Sequence, residues 1–238
     1  MDAARAKGLR TGENPARWRG HLDHLLPKRQ KLTRGHHAAL PYSSVSGFVA
    51  ALRERDAVAA HALEFLILTA ARSGEVLGAK WHEIDLEAKV WTVPADRMKA
   101  GREHRVPLSP RAMKVLEAVK PLANTAAQGG LNVAHIFPGQ ARGAALSGMS
   151  LAMLLRRMKV ATTVHGFRSS FRDWAGEAST FPREVAEAAL AHNVGDATER
   201  AYRRGDALEK RRKLMDAWSA YVETRISRGS LLQFPART

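Results

Sequence analysis

Residues 58–72 read VAAHALEFLILTAAR and decide how this chain folds. The part from 63 to 68 is apolar on nearly every side, which predicts a central helix over residues 58–71, because a helix at the surface keeps a polar face. Arg72 follows this helix directly. A charge at that place costs several kcal/mol if it is buried without a partner, and the candidate partners are Glu75 within the chain and a bound phosphate.

Other helical segments lie on both sides of this stretch. Residues 43–55 predict a helix before it, and Ser73 is placed to cap a short helix after it that carries Glu75 and Trp81. Helices are also predicted from residue 110 to about 119, over 150–158, and in a run from 165 to about 227, with a loop over 124–130.

Between these helices the pattern changes to short β-prone segments. Residues 90–94 and 105–108 predict a β-hairpin, and residues 84–86 are a candidate third strand. Lys99 lies near the tip of this hairpin, where a lysine is most often a solvated turn residue. The predicted fold class is therefore mainly α with a small antiparallel β-sheet (α+β).

The composition indicates a polyanionic partner. The chain has 238 residues, with 38 Lys and Arg against 23 Asp and Glu, and a formal net charge of +15. Because the basic residues are spread along the whole length, they favour a broad surface facing DNA or RNA. A ribosome-associated protein, or a surface that is merely basic, would have the same composition.

The absence of cysteine excludes several classes of site. Without cysteine there is no disulfide, no cysteine nucleophile and no thiolate zinc site, and the composition fits a reducing cytoplasm. No run approaches the roughly 18 apolar residues of a membrane span, and the N-terminus lacks the apolar core of a signal peptide. The sequence predicts a cytoplasmic protein that does not enter a membrane.

The last third of the chain carries three fragments with an affinity for phosphate. They are HGFR at 165–168, LAHN at 190–193 and RAYRR at 200–204. His165 and Arg168 are three residues apart and share one face of a helix. Arginines bind phosphate, histidines move protons or donate hydrogen bonds, and a phenol such as Tyr202 can act as nucleophile. These are the parts needed to cleave a phosphodiester without a metal ion.

Each fragment alone also has an ordinary structural explanation. His165 and Arg168 fit the solvated basic face of an amphipathic helix. His192 follows a predicted helix and fits a capping or packing residue, and Tyr202 alone fits a half-buried structural tyrosine. The order and the spacing of the fragments therefore carry the functional hypothesis.

Taken in this order, the residues resemble the tyrosine recombinase (phage integrase) family, and in particular the integrases carried by prophages and genomic islands. The resemblance covers roughly residues 40–225, and it implies the catalytic fold of the DNA breaking–rejoining enzymes. Five ordered motifs carry it: TAARSGE at 69–75, RMK at 97–99, HGFR at 165–168, LAH at 190–192 and AY at 201–202.

The resemblance implies a phosphate clamp and a nucleophile. Arg72 and Arg168 would hold the scissile phosphate and stabilise the charge on its nonbridging oxygens. Tyr202 would attack phosphorus, giving a 3′-phosphotyrosyl link and a free 5′-hydroxyl. His192 would donate a hydrogen bond to the phosphate.

Proton transfer and support would come from three further residues. His165 would act as an acid–base group or hydrogen-bond donor, and Lys99 would protonate the leaving 5′-oxygen. Glu75 would orient the site as a supporting residue. The family chemistry needs no cofactor and no metal ion, because the phosphotyrosine conserves the energy of the broken bond.

The resemblance also implies partners and a domain organisation. The partner would be double-stranded DNA, with self-association as a tetramer on DNA and a monomer or weak oligomer without it, in the bacterial cytoplasm at the nucleoid. Residues 1–39 would be a remnant of the core-binding domain with a basic linker, 40–228 the catalytic domain, and 229–238 a C-terminal tail.

Integrases of this type carry an arm-binding and a helical core-binding domain before the catalytic domain, so a truncated N-terminus is expected here. Such a truncation would impair site recognition and synapsis. The function predicted from the sequence is a site-specific DNA recombinase (integrase) catalytic domain. Two alternatives stay open, a non-catalytic DNA-binding remnant of a mobile element and a type IB topoisomerase-like enzyme.

Overall fold

The computed structural model describes residues 1–26, 38–126, 134–141, 143–192 and 206–224. The chain divides into two compact units, residues 1–36 and 37–238. The first unit contains helix α1 (Asp2–Ala6), an irregular turn at Trp18–Leu22 and the short helix α2 (Asp23–Leu25). None of its described residues is buried, so the described part of this unit has no hydrophobic core.

The second unit contains the core and is mainly helical. Its described helices are α3 (Tyr42–Arg53), α4 (Val58–Thr69), α5 (Ser73–Leu77), α6 (Pro110–Ala126), α7 (Ser150–Arg157), α8 (Gly166–Glu177), α9 (Arg183–Ala189) and α10 (Leu208–Glu223). No helix among the described residues is long and apolar enough to cross a membrane.

A small antiparallel sheet lies between α5 and α6 in the chain. Its strands β1 (Ile84–Asp85), β2 (Val90–Val93) and β3 (His104–Pro107) follow one another in that order. Trp91 pairs with Ile84 on one side and Val106 on the other. The predicted fold class, mainly α with a small antiparallel sheet, is confirmed.

Helix α4 lies at the centre of the second unit, as its apolar sequence predicted. It contacts α3, α5, α6, α7, α8 and α10. Its one charged residue, Glu64, is only 2% exposed and accepts hydrogen bonds from two arginines. The Nε atoms of Arg53 on α3 and Arg111 on α6 each lie 2.7 Å from Glu64 Oε1, and Arg111 Nη2 lies 3.0 Å from Oε2. The buried carboxylate thus joins three helices.

An aromatic cluster fixes α8 and α10 against α4. Phe171 and Trp174 of α8 lie 5.5 Å and 5.0 Å, ring centre to ring centre, from Trp218 of α10. Trp218 Nε1 donates a hydrogen bond of 2.8 Å to the carbonyl of Ile67 in α4. The aromatic stripe of α8 therefore faces the core, which leaves the opposite side of that helix for other contacts.

A buried arginine attaches α10 to the sheet. Arg211 is 1% exposed, and its Nε donates to the carbonyl of Asp206 at 2.7 Å while its Nη2 lies 2.9 Å from Asp206 Oδ2. Its Nη1 donates to the carbonyl of Arg105 in β3. Its neighbour Arg212 reaches the carbonyl of Lys89, in the turn between β1 and β2, at 3.3 Å. The start of α10 is therefore held at two points of the sheet.

Two predictions about helix ends were wrong. Ser73 is the first residue of α5, not its cap, and the capping position belongs to Arg72; α5 ends at Leu77, so Trp81 lies in a separate turn. Helix α6 runs to Ala126, with Pro121 inside it, and therefore covers the start of the predicted loop over 124–130. A proline in a helix removes one backbone donor without always ending the helix.

Candidate active site

A cavity of about 470 Å³ opens where α5, the connection between β2 and β3, and the start of α8 come together. We call it the basic cavity. Its wall includes five of the residues that the sequence singled out: Arg72, Glu75, Lys99, His165 and Arg168. These residues come from three separate parts of the chain, so only the tertiary fold brings them together.

Arg72 and Glu75 form one side of the basic cavity. Helix α4 ends at Thr69, and the capping residue Ala70 has the left-handed conformation (φ 50°), which turns the chain so that Arg72 caps the start of α5. The backbone N–H of Arg72 donates to Glu75 Oε2 at 2.8 Å, and its Nη1 donates to Oε1 at 2.8 Å. The sequence left Glu75 and a bound phosphate as candidate partners of Arg72, and in the structure Arg72 pairs with Glu75.

The hairpin supports Glu75 through Arg97, a residue to which the sequence assigned no role. Arg97 Nη1 donates to the carbonyl of Glu75 at 3.1 Å, and its Nη2 pairs with Glu83. Trp91 Nε1 donates to the same Glu83 carboxylate at 3.0 Å. A Cβ at Gly78 would lie 2.7 Å from Arg97 Nη1, so a side chain there would require this guanidinium to shift.

Lys99 reaches the basic cavity from the connection between β2 and β3. The preceding Met98 is buried, and its carbonyl accepts a hydrogen bond of 2.9 Å from the N–H of Gly101, which has φ +62°. The turn is thus anchored next to an exposed lysine. An anchored turn carrying a long side chain can deliver an ammonium group to a ligand in the cavity.

The start of α8 carries His165 and Arg168. His165 is the residue before the helix and is exposed to the cavity. Gly166 follows it, and a Cβ there would lie 2.2 Å from the carbonyl oxygen of Ala38. That carbonyl also accepts a hydrogen bond of 2.9 Å from Thr162 Oγ1. The glycine of the HGFR motif is therefore required, because the backbone at Ala38 passes close to the first residue of α8.

Arg168 is held by two backbone carbonyls behind the cavity. It is 5% exposed; its Nη1 donates to the carbonyl of Ala70, and its Nη2 donates to that of Leu190 at 2.7 Å. Burial and then the charge of Arg72 lower the pKa of Arg168 to about 10. The guanidinium therefore stays charged at neutral pH, with part of its hydration replaced by fixed dipoles.

His192 joins the site through Arg168. Its Nε2 lies 3.3 Å from Arg168 Nη2, and its Nδ1 lies 2.6 Å from Glu187 Oε2. Sequence reasoning missed Glu187, because residues five apart do not share a face of a helix. The contact forms only because α9 ends at Ala189 and the chain turns at Ala191, which has φ 51°.

A neutral histidine lies beside these charges. His104 on β3 is mostly buried, and burial followed by the charge of Arg211 lowers its pKa to about 4, with Arg168 acting in the same direction and Glu75 against it. Because it stays neutral near pH 7, His104 adds no further positive charge behind the cavity. No pattern in the sequence pointed to this residue, since only the fold brings the arginines near it.

Of the six predicted catalytic residues, Arg72, Lys99, His165 and Arg168 line the basic cavity and His192 contacts Arg168. Tyr202 lies outside the described residues. The supporting residue Glu75 pairs with Arg72. The structure therefore brings together five groups that can bind or protonate a phosphate.

Comparison with known proteins then identifies the family. Residues 40–209 match the model of the phage integrase family. This chain belongs to the phage integrase family. It is 38% identical over 160 residues to the prophage integrase IntA of Escherichia coli (strain K12), a match that covers 66% of this chain and 37% of IntA. The chain spans between 37% and 48% of the length of the curated relatives it matches.

Solved integrase structures have the same fold. One is the Tn1549 transposon integrase in complex with transposon right end DNA, with a TM-score of 0.57 at 14% identity, covering 84% of this chain and 73% of that one. Another is a lambda integrase tetramer bound to a Holliday junction, with a TM-score of 0.53 at 18% identity, covering 84% of this chain and 54% of that one.

Proposed function

We propose that this member of the phage integrase family contains the catalytic domain of a site-specific DNA recombinase that cleaves and rejoins DNA through a 3′-phosphotyrosyl intermediate. The observation that carries the proposal is the convergence of Arg72, Lys99, His165 and Arg168 on one cavity, with His192 bonded to Arg168. A cavity that gathers this many cationic and proton-carrying groups suits a phosphodiester. The family relationship supports the same chemistry.

In this proposal the two arginines bind the scissile phosphate. Arg168 is held rigidly by two carbonyls, and Arg72 is held by Glu75, so neither guanidinium has to be ordered when the substrate arrives. Donors that are fixed before the reaction stabilise developing charge most effectively, because no reorganisation is needed during the step. The charges would act on the nonbridging oxygens of the pentavalent transition state.

The covalent step uses Tyr202 as nucleophile. Its phenolic oxygen forms a bond to phosphorus while the bond from phosphorus to the 5′-oxygen breaks. His165 accepts the phenolic proton, and Lys99 gives a proton to the departing 5′-oxygen, so charge and protons balance. A 5′-hydroxyl from a second strand reverses the step and rejoins the DNA.

The proposed partner is double-stranded DNA, and the net charge of +15 supports binding to its phosphates. The relation to a lambda integrase whose structure is a tetramer on a Holliday junction supports a tetramer of this protein on DNA as well. In the cell this activity belongs in the bacterial cytoplasm, at the nucleoid.

We also propose a domain assignment, in which residues 40–228 form the catalytic domain. It is supported by the family match over 40–209 and by the single core of the second unit. Residues 1–39 would then belong to a core-binding domain and its linker, and residues 229–238 would form a tail.

A nicked suicide DNA substrate tests the function. The wild-type protein is expected to form a covalent adduct that survives SDS, and Tyr202→Phe is expected to form none. The chain has two other tyrosines, and Tyr42→Phe is the matched control that keeps the adduct. Salt-sensitive binding without an adduct would refute the proposal in favour of a DNA-binding remnant. Relaxation of a supercoiled plasmid by the monomer, without paired sites, would favour a topoisomerase-like enzyme.

A further inference from the structure

Glu187 and His192 are joined by two hydrogen bonds, one to the ring and one to the backbone. His192 Nδ1 lies 2.6 Å from Glu187 Oε2, and the backbone N–H of His192 donates to the Glu187 carbonyl at 2.9 Å. Glu187 thus holds both the backbone and the ring of His192. The imidazole has a fixed direction, and its other nitrogen faces Arg168.

Hydrogen-bonding chemistry determines where the ring carries its proton. Burial acts to raise the pKa of Glu187, but hydrogen bonds from His192 and Arg172 outweigh it and hold the pKa below its ordinary value, so the carboxylate is ionised near pH 7. An ionised carboxylate only accepts, so the Nδ1 of His192 must carry a proton. A guanidinium only donates, so Nε2 accepts from Arg168 Nη2 at 3.3 Å. With both contacts made as hydrogen bonds, the ring is neutral and carries its proton on Nδ1.

This tautomer cannot donate a hydrogen bond to a phosphate from Nε2. To do so, the ring must take up a second proton and become an imidazolium. A carboxylate 2.6 Å from Nδ1 stabilises that charged form, as the buried aspartate does in a serine protease triad. The charged groups facing the pair are Arg168 and Arg172 of α8 and Arg183 of α9.

We propose that Glu187 is a positioning residue that holds the proton of His192 on Nδ1 and stabilises its imidazolium form when phosphate binds, so that Nε2 becomes a charged donor. This inference rests on the proposed function, because it needs a phosphate beside Arg168. It adds Glu187 to the five groups already assembled around the site, of which His192 is one.

Glu187 has a second contact that offers a purely structural explanation. Arg172 Nε lies 2.8 Å from Glu187 Oε1, which ties α8 to α9. The two roles are separable, because Arg172 uses one carboxylate oxygen and His192 uses the other. Arg172→Ala therefore removes the tie between helices and leaves the contact to His192.

The first measurement needs no DNA and no activity. In protein labelled with ¹⁵N histidine, the His192 ring is assigned from its loss in His192→Asn. Wild type and Arg172→Ala are expected to show one neutral tautomer with the proton on Nδ1. Glu187→Gln is expected to lose that preference, since an amide can donate as well as accept. A wild-type ring with mixed tautomers would overturn the proposal, whether or not the protein cleaves DNA.

The second measurement is single-turnover cleavage of the suicide substrate between pH 6 and 8. Glu187→Gln is expected to cleave at least about tenfold more slowly at pH 8, the scale typical of partners that orient a reacting group. The difference in cleavage rate between Glu187→Gln and wild type should become smaller towards pH 6, because the higher proton concentration then favours the imidazolium form of His192 without the carboxylate. Arg172→Ala should stay within about threefold of wild type throughout.

Equal losses in Glu187→Gln and Arg172→Ala, or wild-type rates in Glu187→Gln at every pH, would refute the positioning role. If wild type itself forms no adduct, the proposed function fails, and the ¹⁵N spectra still decide whether Glu187 sets the tautomer. The two failures are therefore distinguishable.

Discussion

Replacing Glu64 with alanine removes the one charged side chain of the central helix α4. Glu64 accepts hydrogen bonds from Arg53 at 2.7 Å and from Arg111 at 2.7 Å and 3.0 Å, so the replacement leaves two guanidinium groups without their main partner. Helices α3, α4 and α6 would lose the polar link between them. The protein should still fold, because the surrounding apolar core is unchanged.

The size of the effect follows from burial. Breaking a buried ion pair by removing one partner costs about 3–5 kcal/mol. Here the arginine side chains are 30% and 25% exposed, and Glu223 Oε1 lies 3.7 Å from Arg53 and 4.0 Å from Arg111. Water and Glu223 offset part of the loss, so we expect a decrease of about 3 kcal/mol in the free energy of unfolding, at the lower end of that range.

Urea unfolding followed by tryptophan fluorescence measures this change. We expect Glu64→Gln to lose about 1–2 kcal/mol, because the amide keeps one acceptor oxygen but not the charge. Glu117→Gln, an exposed glutamate on α6, is the control and should change stability by less than about 0.5 kcal/mol. In thermal melts about 3 kcal/mol corresponds to a decrease of about 6–12 °C in Tm. Ordinary surface substitutions change the free energy of unfolding by up to about 0.5 kcal/mol. A Glu64→Ala variant whose free energy of unfolding differs from that of wild type by no more than this amount would refute the reasoning.

Three further predictions use the same unfolding assay. Gly166→Ala should lose about 1–3 kcal/mol and slow cleavage, because its methyl group meets a backbone carbonyl, whereas Gly176→Ala on the same helix meets nothing within 4 Å and should gain about 0.5–1 kcal/mol. Arg211→Met should lose about 1–3 kcal/mol, because it leaves the backbone carbonyls of Asp206 and Arg105 without their donor, and Arg212→Met, at a more exposed arginine, should lose less than about 1 kcal/mol. His104 has a folded-state pKa of about 4 against 6.5, so the unfolded chain takes up the proton first as pH falls. The stability of wild type relative to His104→Gln should therefore decrease by about 3 kcal/mol from pH 7 to pH 4; equal pH dependence of the two would contradict the burial of this histidine.

Local patterns in the sequence determined the elements and the chemistry. The apolar segment at 58–71 predicted the central helix because a helix with no polar side must be enclosed by others. The β-prone segments predicted the hairpin, and the ordered Arg, Lys, His and Arg motifs indicated phosphodiester chemistry. Gly166 was visible as a letter of the HGFR motif, but its reason was not, because the carbonyl it must admit comes from residue 38.

The tertiary structure alone decided which groups hold the candidate catalytic residues. Arg168 depends on carbonyls that are 98 and 22 residues away in the chain, and His192 depends on Glu187 across the end of a helix. The pairing of Glu64 with Arg53 and Arg111 was likewise not visible in the sequence, because Arg53 is 11 and Arg111 is 47 residues away from Glu64 in the chain. Side-chain identities determine what chemistry is available, whereas burial and long-range hydrogen bonds fix orientation and protonation, and those arise only when distant segments pack together.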